Sequence, residues 1–164
     1  MDADLRPTPD RVRETVFNWL GQDMSGRRCL DLFAGSGAMG FEAASRGADE
    51  VIMVEPDPGV SRAIRTSMGK LQAGQIQLAT MDALRFLESN QRRFDVIFLD
   101  PPYRLNLLPG LLSQVGGHLV GGGVVYTEND KPLQPGSAWE TLRCGRAGNV
   151  YFQLLKPLEP LENG

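Results

Sequence analysis

Short apolar runs alternate with helical stretches along most of this chain, and this alternation restricts the folds it can adopt. The runs at 29–33, 51–54, 76–79, 94–99 and 124–127 predict strands, and the segments at 38–46, 59–71, 82–89 and 105–115 predict helices. Strands that alternate with helices form a parallel sheet covered on both faces. We therefore predict an α/β fold with a mostly parallel, doubly wound sheet and a ligand crevice at the carboxyl ends of its strands.

Both ends of the chain add elements to this alternating region. An apolar stripe at positions 12, 16, 19 and 20 predicts a helix, with Thr8 as its N-cap and Gly21 as its stop. Residues 139–144 and 150–155 predict a closing antiparallel hairpin.

The length of 164 residues is that of one domain. We predict a single domain over 1–164, with an N-terminal capping helix region at 1–21 and a Rossmann-like core at 29–156.

Composition excludes several classes of protein and site. The only histidine, His118, rules out a histidine-rich metal site, and we expect no metal. Cys29 and Cys144 are too far apart in sequence to suggest a disulfide framework or a CxxC site, which favours a reducing compartment. We see neither a membrane span nor a signal peptide, so we expect a cytoplasmic protein. The net charge of −3 disfavours a general polyanion binder.

A glycine loop follows the first predicted strand. Gly35, Gly37 and Gly40 fit the pattern G-x-G-x-x-G, which lets backbone amides approach a ligand at a helix N-terminus. Glu55, after the second strand, is placed to accept both hydroxyls of a ribose, so the pattern predicts an adenosine cofactor without saying which. Asp31 would repel a pyrophosphate but attract the cationic groups of S-adenosylmethionine.

Two other turns lie at the same predicted edge. Asp82 and Ala83 follow the third strand, where they could meet an adenine, although Asp82 could equally serve only as a helix cap. The strongest strand runs into the turn Asp100-Pro101-Pro102-Tyr103, whose prolines restrict the backbone. A carboxylate there could accept an N–H from the exocyclic amine of a base, and Tyr103 could stack on that base.

The motifs resemble those of a known family. The turn Asp100-Pro101-Pro102-Tyr103 is the signature of amino-methyltransferases that act on bases in DNA or RNA. Together with the opening string LRPTPDRVRETVFNWL at 5–20 and LDLFAGSG at 30–37, it resembles the bacterial 16S ribosomal RNA guanine-N2 methyltransferase family, RsmD type. The resemblance covers nearly the whole chain and implies a class I S-adenosylmethionine-dependent methyltransferase fold.

That resemblance implies a cofactor, a substrate and a site. The methyl donor would be S-adenosylmethionine, and the substrate a guanine amino group in 16S rRNA of the small ribosomal subunit or its assembly intermediate. Catalytic roles would fall to Asp100, Pro101, Pro102 and Tyr103. The cofactor would be bound by Asp31, Phe33, Ala34, Gly35, Ser36, Gly37, Glu55, Asp82 and Ala83. The substrate would be bound by Arg6, Thr8, Arg11 and Tyr103.

One feature of that family is largely missing from these residues. Its members usually carry a basic arm before the Leu-Arg-Pro-Thr string, whereas here only Met1, Asp2, Ala3 and Asp4 precede Leu5. We expect cofactor binding not to depend on such an arm and rRNA affinity to depend on it. We also expect a monomer.

Three alternatives remain at this point. A DNA adenine-N6 methyltransferase would use the same Asp-Pro-Pro-Tyr turn, but the opening string disfavours it. An NAD-type oxidoreductase would use the glycine loop and leave that turn unexplained. A non-catalytic RNA-binding or assembly module would keep the fold without turnover.

Overall fold

The computed structural model of the protein describes residues 8–102 and 105–158. The helices in these ranges are α1 (Asp10–Leu20), α2 (Ala38–Ser45), α3 (Pro58–Leu71), α4 (Ala83–Ser89) and α5 (Leu108–Val115). The strands are β1 (Arg28–Asp31), β2 (Glu50–Val54), β3 (Ile76–Ala79), β4 (Phe94–Leu99), β5 (Leu119–Asn129), β6 (Trp139–Ala147) and β7 (Val150–Pro157).

The strands form one sheet in the order β3-β2-β1-β4-β5-β7-β6. β1 to β5 run parallel, with Cys29 paired to Val51 on one side and to Val96 on the other. β7 pairs antiparallel with both β5 and β6. The predicted doubly wound sheet and the closing hairpin are therefore confirmed.

Helices cover both faces of the sheet. One apolar core lies against α1, α2 and α3 and includes Val96, Phe98 and Tyr126. The other lies against α4 and α5 and includes Ile97 and Leu99. Because successive side chains of a strand point to opposite faces, β4 contributes to both cores, and this explains its apolar run from Val96 to Leu99.

The start of α1 differs from the prediction. Pro9, not Thr8, is the N-cap, and no side chain caps the helix. The Thr8 hydroxyl instead donates to Glu128, across the fold. Local sequence favoured Thr8 as a cap, but a buried carboxylate is a stronger acceptor that only the tertiary structure brings near. Gly21 ends the helix as predicted, with φ at 102°.

β5 is longer than predicted at both ends. The strand includes the glycine run before 124, where its pairing with β4 shifts register between Phe94 and Val96. Gly122 has φ at 83°, and a Cβ at Gly123 would lie 3.0 Å from the Phe94 carbonyl oxygen. The glycines thus permit an irregular stretch of strand before residue 124, where the predicted strand begins.

In the described ranges, none of the helices is long and apolar enough to cross a membrane. The longest of them, α3, has 14 residues.

Candidate functional site

Four carboxylate residues lie at the carboxyl edge of the parallel strands. Asp31 ends β1, Glu55 follows β2, Asp100 follows β4, and Glu128 is the penultimate residue of β5. The parallel topology alone brings these residues to one edge, because neighbouring parallel strands end on the same side. The sequence predicts the ligand site at this edge of the sheet.

The glycine loop connects β1 to α2. Gly35 and Gly37 have φ of 54° and 85°, and Gly37 is the N-cap of α2. A Cβ at Gly37 would lie 2.6 Å from a ring carbon of Phe41, and one at Gly40 would lie 2.5 Å from Cε of Met53. The loop therefore needs glycine both for its backbone conformation and for the close packing of α2.

Asp31 is almost entirely buried beneath this loop, with 4% of its surface exposed. One carboxylate oxygen, Oδ2, accepts the backbone N–H of Gly40 at 3.1 Å. Burial raises the pKa of Asp31 to about 7; the Gly40 hydrogen bond opposes this shift, and Glu128 and Glu55 add to it. Asp31 therefore titrates near neutral pH in the protein without a ligand.

The Glu55 side chain connects the glycine loop to the end of β2 by hydrogen bonds. Its Oε1 accepts the backbone N–H of Gly35, and its Oε2 accepts that of Asp57, both at 3.0 Å. An ionised carboxylate has about four acceptor positions, so two remain for the hydroxyls of a ligand. The carboxylate is thus held in place before any ligand arrives.

Asp82 is the N-cap of α4. Its Oδ2 accepts the backbone N–H groups of Leu84 and Arg85 at 3.0 and 3.3 Å. The Ala83 side chain is buried in the core beneath α4. Any contact of Ala83 with a ligand would therefore involve its backbone, whereas the capping role of Asp82 is directly observed.

The turn after β4 holds Asp100 half-buried, with Pro101 buried behind it. The Pro102 carbonyl accepts the N–H of Leu105 at 3.2 Å. Burial raises the pKa of Asp100 well above its usual range, and the neighbouring carboxylates Glu128 and Asp31 raise it further. Within 8–102 and 105–158, no donor to the Asp100 carboxylate is found. Tyr103, predicted to stack on a base, lies outside the described residues.

Glu128 belongs to the same edge and was missed in the sequence. It is 3% exposed and accepts the Thr8 hydroxyl at 2.9 Å. Burial raises the pKa of Glu128, while hydrogen bonds from Thr8 and Tyr126 lower it. The available signal was an acid directly after an apolar run, a pattern that Glu128 shares with Asp100, because the predicted strand ends at Thr127.

The predicted substrate-binding residues have different environments. Thr8 is buried against Glu128, and Arg11 is exposed on α1. Arg6 lies outside the described residues. Arg13, two positions after Arg11, forms ion pairs with Asp10 and Glu42 at 2.9 and 3.1 Å.

The remaining predicted cofactor residues lie in the loop after β1. Phe33 is half-buried against the core beneath α4 and α5, whereas Ala34 is buried in the opposite core. Ser36 is exposed at the tip of the loop. Phe33 and Ala34 position the loop through packing, and of the three residues only Ser36 has a freely accessible side chain.

The electrostatics of the edge suit a cationic ligand. Among the described residues, no lysine or arginine forms an ion pair with Asp31, Asp100 or Glu128. Within the same part of the chain, no group of histidine, cysteine, aspartate or glutamate side chains is arranged to hold a metal ion. Buried carboxylates without a cation are unfavourable when ionised, so a positively charged organic ligand would compensate them.

Comparisons with known proteins identify the relatives of this chain. The family model described as Conserved hypothetical protein 95 matches residues 1–156. The Ribosomal RNA small subunit methyltransferase D of Haemophilus influenzae is 40% identical over 158 residues, which cover 92% of this chain and 82% of that protein.

Solved structures agree with this relationship. A putative methyltransferase, yhhF, from Escherichia coli superimposes with a TM-score of 0.85 at 33% identity, covering 93% of this chain and 88% of that one. An RNA methyltransferase from Salinibacter ruber, solved in complex with S-adenosyl-L-homocysteine, shares the fold with a TM-score of 0.75 at 18% identity, covering 96% and 98% of the two chains. The predicted methyltransferase fold is therefore confirmed.

Proposed function

The chain belongs to the family of ribosomal RNA small subunit methyltransferases D, and from this we propose that it methylates the exocyclic N2 amine of a guanine in 16S rRNA. The methyl donor would be S-adenosylmethionine. The substrate would be the small ribosomal subunit or its assembly intermediate.

One observation carries the proposal: the Asp-Pro-Pro turn lies at the same sheet edge as the glycine loop. Asp100 follows β4, and its neighbour β1 ends at Asp31. A base presented to Asp100 would therefore lie next to a cofactor held by the loop. Transfer between two bound molecules requires such proximity, which supplies much of the rate.

The residues present fit S-adenosylmethionine. When bound, this cofactor supplies a methyl group on a positively charged sulfur, together with a cationic amino group. Asp31, with its pKa near 7, would be held ionised by that charge. The backbone of Gly35 and Gly37 would bind the methionine part, and Glu55 the ribose. A pyrophosphate, by contrast, would be repelled by Asp31, which weighs against the NAD-type alternative.

Asp100 would orient the target amine. The lone pair of an exocyclic amine is delocalised into the base, so the amine is a poor nucleophile until an acceptor holds one N–H. Asp100 has no donor among the described residues and is half-buried, so its carboxylate is available for that contact. As the new N–C bond forms and the methyl–sulfur bond breaks, the amine loses one proton, which the Asp100 carboxylate accepts.

Labelled methyl transfer to small subunits that lack the modification tests this function. We expect label on guanine N2 of 16S rRNA, and none in duplex DNA. Label in DNA adenine instead would support the adenine-N6 alternative. Stabilisation by NAD and not by S-adenosylhomocysteine in a thermal unfolding assay would contradict the cofactor assignment.

Asp100→Asn separates chemistry from cofactor binding. We expect kcat to fall by on the order of 100-fold, because the amide accepts the amine N–H less strongly and does not accept its proton. Stabilisation by S-adenosylhomocysteine should be retained. The matched control is Asp95→Asn, at the other end of β4, where an amide oxygen keeps the hydrogen bond from the Arg28 N–H, which Asp95 now accepts at 2.9 Å. Wild-type transfer by Asp100→Asn would refute the proposed role.

A further inference from the structure

Glu128 is a buried acid that core packing does not require. It is buried and lies on the face of β5 that also carries Tyr126, a member of the core against α1, α2 and α3. Burying a carboxylate there is unfavourable by several kcal/mol unless it is well hydrogen-bonded. Its Oε2 accepts the Thr8 hydroxyl, and the Tyr126 side chain acts on the same carboxylate. An apolar side chain would fill this space without any such partners.

The pairing of β4 and β5 places Glu128 beside Asp100. Phe98 pairs with Tyr126, and Leu99 pairs with Thr127. The next position in this parallel register brings Asp100 opposite Glu128, with both side chains on the face of Phe98 and Tyr126. Two carboxylates thus end neighbouring strands on one face.

Within residues 8–102 and 105–158, the groups that face this pair are acids and neutral donors. β1 contributes Asp31 and β2 contributes Glu55, which acts on Asp31. The segment before α1 contributes Thr8, and α2 contributes only the Gly40 amide, bound to Asp31. On α1, Arg11 is exposed, and Arg13 is engaged by Asp10 and Glu42.

We propose that Glu128 is a positioning residue for methyl transfer. It makes Asp100 a stronger proton acceptor and holds Thr8 at the same edge of the sheet. This inference rests on the proposed function. A negative charge next to Asp100 favours its protonated form, so Asp100 takes the proton released by the methylated amine more readily. The proton then passes to solvent when the product leaves.

Glu128→Gln removes the charge and keeps an oxygen that accepts the Thr8 hydroxyl. In single-turnover transfer, we expect the acid limb of the rate–pH profile to move to lower pH by about one pH unit or more. Two unit charges on strands roughly 5 Å apart interact by more than one pKa unit at an effective dielectric constant of about 20. The rate at the plateau should fall roughly three- to tenfold, because Asp100 becomes a weaker base, while KM for subunits stays unchanged.

Two controls separate this role from a structural one. Glu88→Gln, on an exposed position of α4, makes the same chemical change away from the site and should keep the wild-type profile. Glu128→Asp retains the charge and should keep the wild-type acid limb, even if its plateau rate falls. An unchanged acid limb in folded Glu128→Gln would overturn the inference.

A titration of the wild-type protein tests the same coupling without a variant or a substrate. With 13C-labelled aspartate and glutamate carboxyls, NMR should show the Asp100 signal moving in two steps, one of them shared with Glu128. A single step for Asp100 in the ordinary range of aspartate would overturn the inference. Failure of wild-type protein to methylate any small-subunit preparation would overturn the proposed function instead.

Discussion

Replacing Asp31 with asparagine should stabilise the protein without a ligand while weakening its cofactor site. The Asp31 carboxyl is 4% exposed, and its pKa is raised from 3.8 to about 7, chiefly by burial. An acid whose pKa is higher in the folded state binds more protons there, so its contribution to the free energy of unfolding falls as pH rises from about 4 to about 7. Above about pH 7, the contribution of Asp31 to the free energy of unfolding falls no further.

The size of the effect follows from the same pKa values. The difference between 3.8 and about 7 corresponds to at most roughly 4 kcal/mol, and relaxation around the charge reduces it, so we expect about 2–4 kcal/mol at pH 8. Asparagine keeps an oxygen for the Gly40 N–H and carries no charge for Glu55 and Glu128 to repel.

Urea unfolding at pH 4 to 8 measures the prediction. The free energy of unfolding of Asp31→Asn should exceed that of wild type at pH 8, and the two should converge near pH 4. Asp95→Asn, a half-buried carboxylate at the opposite edge, controls for loss of a negative charge. S-adenosylhomocysteine should raise the melting temperature of Asp31→Asn by less than that of wild type, since the amino group of the ligand loses an ionic partner. Equal or lower stability of Asp31→Asn at pH 8 would refute the reasoning.

Two further predictions concern the loops at the same edge. Gly37→Ala should lower the free energy of unfolding, measured with urea, by about 1–3 kcal/mol, because the φ of Gly37 is 85° and the new Cβ would lie 2.6 Å from the Phe41 ring. A wild-type free energy of unfolding in this variant would contradict the proposed reason for glycine. Asp82→Ala should lower the free energy of unfolding by about 1 kcal/mol, because α4 loses its N-cap, and Asp82→Asn should retain most of the wild-type value. If the free energy of unfolding falls equally in both variants, capping is not the role of Asp82.

The pattern of elements was readable from local sequence. The run of Phe94–Leu99 is apolar at every position but one, and this marks a strand buried on both faces. Glycine at 21 and aspartate at 82 marked a helix end and a helix start, because the backbone geometry at those points favours those residue types. Such signals depend on only a few neighbouring residues, so the folded protein keeps the local structure that they predict.

The predictions that failed depended on partners far away in the sequence. Thr8 has the local chemistry of an N-cap, yet its hydroxyl bonds Glu128, 120 positions later. The glycines at 121–123 have the composition of a loop, yet β5 continues through them between its pairs with β4 at Leu119 and Val124. In both places a tertiary contact outweighed a local preference, as is expected where local preferences amount to about 1 kcal/mol.

The sequence by itself determined the alternation of strands and helices, the glycine loop and the Asp-Pro-Pro turn, because periodicity and backbone restrictions are encoded residue by residue. Only the tertiary structure decided that Glu128 shares an edge with Asp31 and Asp100, and how strongly these acids interact. Asp31, Asp100 and Glu128 come from three separated segments, and the parallel order of β1, β4 and β5 brings them together. Their raised pKa values arise from burial and from one another, and neither exists until the chain has folded.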